Sequence, residues 1–582
     1  MNHSQLSRFA ILLVVGFTAM VAACKHDDNP VLPVAPTLTG FNPPTATIGS
    51  SVTVTGANFG TDPASNTVTI GGVPATVTSV SSGTAIVITV PAGIPNNTGV
   101  ISVSAAGGTV QSTQQFVVAA KPVVSFIPIA ADTSIRANVT WTRDKVYLLQ
   151  GRVYIPDGNT LTIEPGTVIR GLAASGNKPA GTLIVERGGK LIAAGTASQP
   201  IVFTSAKSSA DRGYGDWGGI VLIGKAPINR PGSTPFPAAI RGTTETYNEP
   251  ADNSGTLQYV RIEFAGLPTG ELGGLNLYGV GYGTKIDHVQ VSYGRGNGFA
   301  WYGGTANAKY LVSHVNSAAD WYTDWGYGYG ADRDGGTNGG KVQFGVALRD
   351  QNVAAAPGGN AIYSQNFDPG EYAGGVAPTK TQSYKTSPIF TNISAFGFSG
   401  NSGAPSTALT SAGGSYGAAL YLRRNTAISV YNSVFVGFPV GVQLEGTTTG
   451  TLANLTATTG SNYALDLRGI VIANALSPEI TGGGDITTAV ARAYFDNNRS
   501  NVVYLSSDVP KLLLNAATFN LTAPGFLPQS SSPLQAGAVT TGKVADSFFT
   551  PVTFRGAFGT ENWTQGWTNF NPKATDYDRQ NN

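Results

Sequence analysis

Four histidines, one cysteine and 33 acidic residues bound the chemistry open to this 582-residue chain. The histidines are His3, His26, His288 and His314. Asp287 and His288 are neighbours, so on a regular strand they point to opposite faces and form no dyad. Gly413-Gly414-Ser415-Tyr416-Gly417 has the G-x-S-x-G spacing of a nucleophile elbow. That chemistry needs a histidine later in the chain, and none follows His314. A zinc site of Cys and His ligands cannot be assembled from this inventory. In Asp332-Arg333-Asp334-Gly335-Gly336-Thr337-Asn338-Gly339, the oxygens of Asp332, Asp334 and Asn338 alternate beside glycines and suit a hard cation such as calcium. The loop lacks the spacing of a calcium loop and its downstream bidentate Glu, so an exposed glycine turn is the competing reading.

The densest aromatic stretch runs from Phe299 to Tyr329, with nine rings in 31 residues. Trp301, Asp320, Trp321, Tyr322, Asp324 and Trp325 are the binding candidates within it. Rings beside carboxylates suit sugar faces and hydroxyls, or a protein hot spot. Trp321 and Trp325 are four apart, which on an extended strand puts both on one face about 13 Å apart. The competing reading is that these rings fill an interior or cover turns. Hydrolysis of a glycoside would need two carboxylates roughly 5–9 Å apart, and Asp320 and Asp324 are the nearest pair in sequence. A lyase would need a cation with a basic side chain, for which Arg333, Lys341 and Arg349 are the candidates. No signature completes either set. The expected function is therefore non-enzymatic binding or adhesion to glycan, matrix or a partner protein. A polysaccharide lyase or glycoside hydrolase is the alternative.

What must position these residues is β-structure. The chain has 75 glycines and 34 prolines, well above the roughly 12% the two make up in ordinary proteins. A formal net charge of +2 gives no electrostatic case for a nucleic-acid partner. At 41% apolar the chain can still bury a large core. From Val146 onward, short apolar runs alternate with Gly, Asn and Pro turns, and no helix-length 3.6-residue pattern interrupts them. Val289-Gln290-Val291-Ser292-Tyr293 recurs as Leu311-Val312-Ser313-His314-Val315, about 22 residues later. A repeat of this length implies a solenoid whose coils share ladders and a dry interior. The expected fold is all-β, with a right-handed parallel β-helix over 120–582 that ends in a C-terminal cap. Gly and Asn are expected at its corners. Val434 is expected to face inward, because it alternates with Ser433.

The N-terminal part reads differently. Arg8 precedes the uncharged run Phe9–Ala23, too short to span a membrane, so residues 1–23 read as a cleavable signal. Val21-Ala22-Ala23-Cys24 resembles the lipobox of bacterial lipoproteins. That resemblance implies acylation of Cys24, an outer-membrane lipid anchor and a tether over 24–35. Lys25-His26-Asp27-Asp28 resembles the surface-export signal of Bacteroidetes lipoproteins and implies a protein facing the cell exterior. Between residues 36 and 119, the alternating runs Ser51–Thr55, Thr67–Ile70 and Ala85–Val90 predict a β-sandwich. Phe41-x-Pro43, Val52-x-Val54-x-Gly56-x-x-Phe59 and Ile70-Gly71-Gly72-Val73-Pro74-Ala75 resemble the IPT/TIG immunoglobulin-like family, whose members serve mostly as spacers or interaction modules.

The order Thr160–Ile169, Leu183–Gly189, Gly215-Asp216-Trp217-Gly218-Gly219-Ile220, Tyr259–Gly266, Lys341–Asp350 and Trp563-x-x-Gly566-Trp567 resembles a family of Bacteroidetes surface proteins without an established activity. Members tend to be more acidic where this chain has Ala318–Trp325. That departure counts against a carboxylate-dependent role there.

Overall fold

A computed structural model describes residues 33–119, 125–230, 236–238, 240–245, 247–328, 339–354, 358–366, 385–397, 414–446, 450–459, 462–497 and 499–577. Cys24, Asp332, Arg333, Asp334 and Asn338 lie outside the described residues. The chain divides into two compact units, Met1–Pro122 and Val123–Asn582.

In the first unit, period-two alternation builds an antiparallel sandwich. Along Ser51–Ala57 the residues Val52 and Val54 are buried while Ser51 and Thr55 are exposed. This strand pairs with Thr37–Asn42 on one side and Ala85–Thr89 on the other. Phe116, Ile70, Ile86 and Ile101, none with exposed surface, complete the core.

The second unit is a stack of parallel coils. Val289 pairs with Leu311 and Ser292 with His314, so the 22-residue recurrence is one turn of the solenoid. Among the described residues, one parallel sheet of eleven strands runs from Thr133–Ser134 to Ile480–Gly484. A second sheet of seventeen strands is folded along a corner. Five of its strands, Gly255–Glu263, Lys285–Ser292, Asn307–His314, Lys341–Leu348 and Ile389–Phe396, turn that corner without ending. They bend at Tyr259, His288, Tyr310, Phe344 and Asn392, whose φ values lie between 49° and 61°.

Aromatic residues, not only Gly and Asn, therefore occupy this left-handed position, each at a cost of ~1 kcal/mol or more. Their offset is visible in the packing. The four rings stack coil upon coil, with centroids 4.4, 4.4 and 5.1 Å apart. Trp563 and Trp567 close over them edge-on.

Those tryptophans belong to a C-terminal segment, residues 505–577, that runs back along the outside of the folded sheet. Side-chain amides of the coils hold its backbone. Gln290 donates to Asn569 O and accepts from Asn569 N, both at 2.8 Å. Gln343 does the same with Thr550. The Val434 expectation is corrected here. Val434 is fully buried, but it packs with Phe396, Leu512 and Phe558 under the C-terminal segment, while its neighbour Phe435 faces the interior. Alternation identified a buried position and assigned it to the wrong side, because both sides of this sheet are dry. The last coils are closed by the helix Thr488–Asp496, which buries Ala491, Tyr494 and Phe495.

Candidate functional site

The aromatic band is divided by the sheet it lies on. In the eleven-stranded sheet, Phe299 pairs with Trp321 and Trp301 with Thr323. These positions face the interior, and Trp301 and Trp321 have no exposed surface. Room for the indoles comes from small neighbours: a Cβ on Gly345 would lie 2.9 Å from Trp321 Cζ2. The expectation of an exposed Trp321–Trp325 pair on one face is therefore corrected. The strand Trp321–Asp324 ends before Trp325, whose φ of 57° turns it onto the outer flank beside Tyr278 and Tyr302.

The two aspartates separate in the same way. Asp320 is fully buried 2.9 Å from the Arg349 guanidinium and accepts from Ser313 Oγ at 2.6 Å. Burial pushes its carboxyl up to about 6 in spite of Arg349. Asp324 instead faces the outer flank, so the two carboxylates do not share a face and form no hydrolytic pair. Of the named bases, Arg349 is consumed by Asp320, and Lys341 pairs with Asp546 at 2.8 Å. The exclusion of an Asp287–His288 contact is also corrected. The left-handed bend at His288 swings its Nδ1 back onto Asp287 Oδ1. The ring is sandwiched between Tyr259 and Tyr310, so the pair locks the corner. Among the described residues, no group of three His, Cys, Asp or Glu side chains is placed to hold a metal.

What remains is the outer face of the eleven-stranded sheet over its C-terminal coils, where Tyr322, Gln365, Tyr421, Arg423 and Glu445 are half-buried and Asp324 and Tyr363 are buried. The described residues between 224 and 254 arch over its earlier coils, where Arg241 forks onto Glu186 at 2.6 and 2.8 Å. Beyond that arch, register sets Tyr322 beside Tyr363, Tyr363 beside Tyr421 and Tyr421 beside Gln443. Two residues further along each strand come Asp324, Gln365, Arg423 and Glu445. The result is two parallel columns, one of rings and one of polar groups, repeating every coil at ~4.8 Å.

The columns are tied to each other. Tyr322 Oη donates to Asp324 Oδ2 at 2.9 Å, and Gln365 Nε2 donates to both, at 2.7 and 3.0 Å. Tyr421 Oη donates to Glu445 Oε2 at 2.7 Å, and Arg423 holds the other oxygen at 2.6 Å. Arg230, from the arch, lies over the Trp325 ring and 3.8 Å from Asp324. Tyr363 and Tyr421 stack at 4.9 Å, so the faces they turn to each other are closed, and of the two only Tyr421 keeps partial exposure. Burial raises the Asp324 carboxyl, opposed first by Arg230. Burial and the adjacent carboxylates push the Tyr322 and Tyr421 hydroxyls well above 10, so neither is an activated nucleophile.

Of the six binding candidates, Tyr322, Asp324 and Trp325 belong to this surface, whereas Trp301, Asp320 and Trp321 do not. Tyr363, Gln365, Tyr421, Arg423, Glu445 and Arg230 were not among the sequence candidates. Their signal is a recurring Tyr-x-polar step: Tyr322-x-Asp324, Tyr363-x-Gln365, Tyr421-x-Arg423, then Gln443-x-Glu445. It lies scattered over more than 120 residues.

A family profile described as a pectate-lyase-like β-helix domain matches residues 133–474, and an IPT/TIG domain profile matches residues 36–118. No curated protein matches the chain. Similar solved structures include an auxiliary nutrient-binding protein from Bacteroides thetaiotaomicron, at 22% identity over 16% of this chain and 24% of that chain, with a TM-score of 0.14. SGBP-B from a complex xyloglucan utilization locus in Bacteroides uniformis is similar at 23% identity over 14% of this chain and 23% of that chain, with a TM-score of 0.13. This chain thus spans less than a quarter of either.

Proposed function

We propose, from the premise that this chain belongs to the pectate-lyase-like β-helix family, that it binds an extracellular polysaccharide along the open outer flank of its eleven-stranded sheet without cleaving it. The observation that carries the reading is the paired column of tyrosines and polar side chains from Tyr322 to Glu445. Four coil steps, from Tyr302 to Glu445, span about 19 Å, the length of an extended oligosaccharide. Hydroxyls, two carboxylates, an amide and two guanidinium groups offer both donors and acceptors to sugar hydroxyls. Each carboxylate is already engaged by an arginine, and the tyrosine hydroxyls stay protonated at neutral pH. The row is therefore equipped for recognition and poorly equipped for proton abstraction or nucleophilic attack. A fold shared with lyases does not grant their activity.

The reading extends to location. The lipobox-like run ending at Cys24 supports a lipid-anchored protein in the outer membrane, and the following Lys25-His26-Asp27-Asp28 supports one facing the cell exterior, with the IPT/TIG domain as a spacer. The test is affinity electrophoresis of the purified chain in gels containing homogalacturonan, xylan, arabinogalactan or dextran. Each mixture is also assayed for new reducing or unsaturated ends. Retardation by at least one polymer with no new ends is expected. New ends would establish the second reading, a lyase or hydrolase, which the family relationship favours.

A further inference from the structure

The corner of the folded sheet changes character along its length. Tyr259, His288, Tyr310 and Phe344 fill it with stacked rings, and the next two coils place Asn392 and Asn432 there instead. An amide is too short to fill the space that a ring fills, and the C-terminal segment bulges outward over the same coils. A cavity of about 370 Å³ stands between them, walled by Gln343, Thr391, Asn392 and Asn432 on one side and by residues 539–552 on the other. We infer that this cavity is a second binding site, for a neutral polyhydroxylated ring of about one monosaccharide.

Three features lead to that class. First, the walls are rigid without the ligand. Asn432 exchanges two hydrogen bonds with Val539, at 2.9 and 2.7 Å, Gln343 exchanges two with Thr550, and Asn392 Nδ2 donates to Phe554 O at 3.1 Å. The bulge is thus clamped at both ends, and little ordering is left to be done on binding. Second, the charges cancel. Asp546, the one charged side chain in the lining, pairs with Lys341 at 2.8 Å, and the Lys543 ammonium points away from the cavity lining to Ser429 Oγ and Ala464 O at 2.8 and 3.2 Å, so no ionic ligand is called for. Third, the lining mixes an apolar wall of Phe549 and Val544 with the amide oxygens of Gln343 and Asn432, which each accept one backbone N–H and keep a second lone pair for a sugar hydroxyl. The size falls at the small end of the ~300–1,000 Å³ range of ligand pockets. A polymer would not fit, but a terminal residue or a free sugar would.

The site is on the covered flank, and its test is separable from that of the open flank. Saturation-transfer NMR of the full chain is run with D-glucose, D-galactose, D-xylose and N-acetylglucosamine, and with sodium D-galacturonate as the charged control. All measurements use the Arg423→Met/Glu445→Gln background, which disables the open flank. At least one neutral sugar should receive saturation and galacturonate should not. Thr540→Trp and Ser547→Trp, at exposed positions on the cavity wall, should each weaken that signal about ten-fold or more with the melting temperature unchanged. Absence of any neutral-sugar signal, a preference for galacturonate, or a signal that survives both tryptophans would overturn the inference.

Discussion

The two outer flanks of the coil stack carry the same device, aromatic residues repeated in register, and use it oppositely. On the folded sheet, the column Tyr259–His288–Tyr310–Phe344 is sealed beneath Trp563 and Trp567. Its polar neighbours Gln290, Gln343 and Asn432 spend their hydrogen bonds on the C-terminal segment. On the eleven-stranded sheet, the column Tyr322–Tyr363–Tyr421 is half-buried at Tyr322 and Tyr421 and buried at Tyr363, and its hydroxyls and polar neighbours bond to one another. A parallel solenoid aligns like residues whether or not anything binds them. Aromatic density alone therefore says nothing about recognition. What distinguishes the flanks is whether the chain itself already supplies the partner.

That contrast breaks first at the dry positions. Val434→Asp would set an unpaired charge beneath the C-terminal segment and should cost about 3 kcal/mol or more. Trp321→Ala would empty the interior and should cost about 3–5 kcal/mol. Thermal melts decide both, and a Trp321→Ala protein as stable as the parent would mean that the indole is not core.

A second, pH-dependent test sharpens the covered flank. His314 is fully buried there, and its Nε2 donates to Leu521 O at 2.8 Å. Burial lowers its imidazole to about 4. Above pH 6.5 neither folded nor unfolded chain is charged at this position. Below it the unfolded chain takes up the proton first, so stability falls as pH drops from 6.5 toward 4, by about 3 kcal/mol in the limit. Burial raises Asp320 to about 6, which acts in the opposite direction between 3.8 and 6. Comparison with His314→Gln cancels that contribution. Denaturant unfolding at pH 7 and pH 4 should show the parent losing stability relative to the variant. Parallel pH profiles would contradict the buried, neutral imidazole.

The smallest effect is expected on the open flank. Tyr421→Phe removes the hydroxyl donated to Glu445, but Arg423 still holds that carboxylate at 2.6 Å. Stability should change by less than about 1 kcal/mol.

Much of this architecture was legible in the sequence. Period-two runs marked the sandwich, and the recurrence of Val289–Tyr293 at Leu311–Val315 marked one coil. Side assignment was less legible, because a strand dry on both faces gives alternation no polar phase to follow, as Val434 shows. The candidate site was half legible. Tyr322 and Asp324 were singled out by local density, yet their continuation through Gln365, Arg423 and Glu445 depends on coil lengths that vary with inserted loops. The corner misled for a backbone reason. A left-handed histidine bends Asp287 and His288 together, whereas extended geometry would hold them apart.

The central claim is that the Tyr322–Glu445 row is the binding surface, and the most direct measurement compares polysaccharide retardation of the parent chain with that of Arg423→Met/Glu445→Gln. Removing both ionic partners together leaves no orphan charge, so the fold and melting temperature should hold. Affinity for the retained polymer should fall about ten-fold or more, in line with loss of a hot spot. Undiminished retardation of the double variant, at an unchanged melting temperature, would place recognition elsewhere and contradict the account.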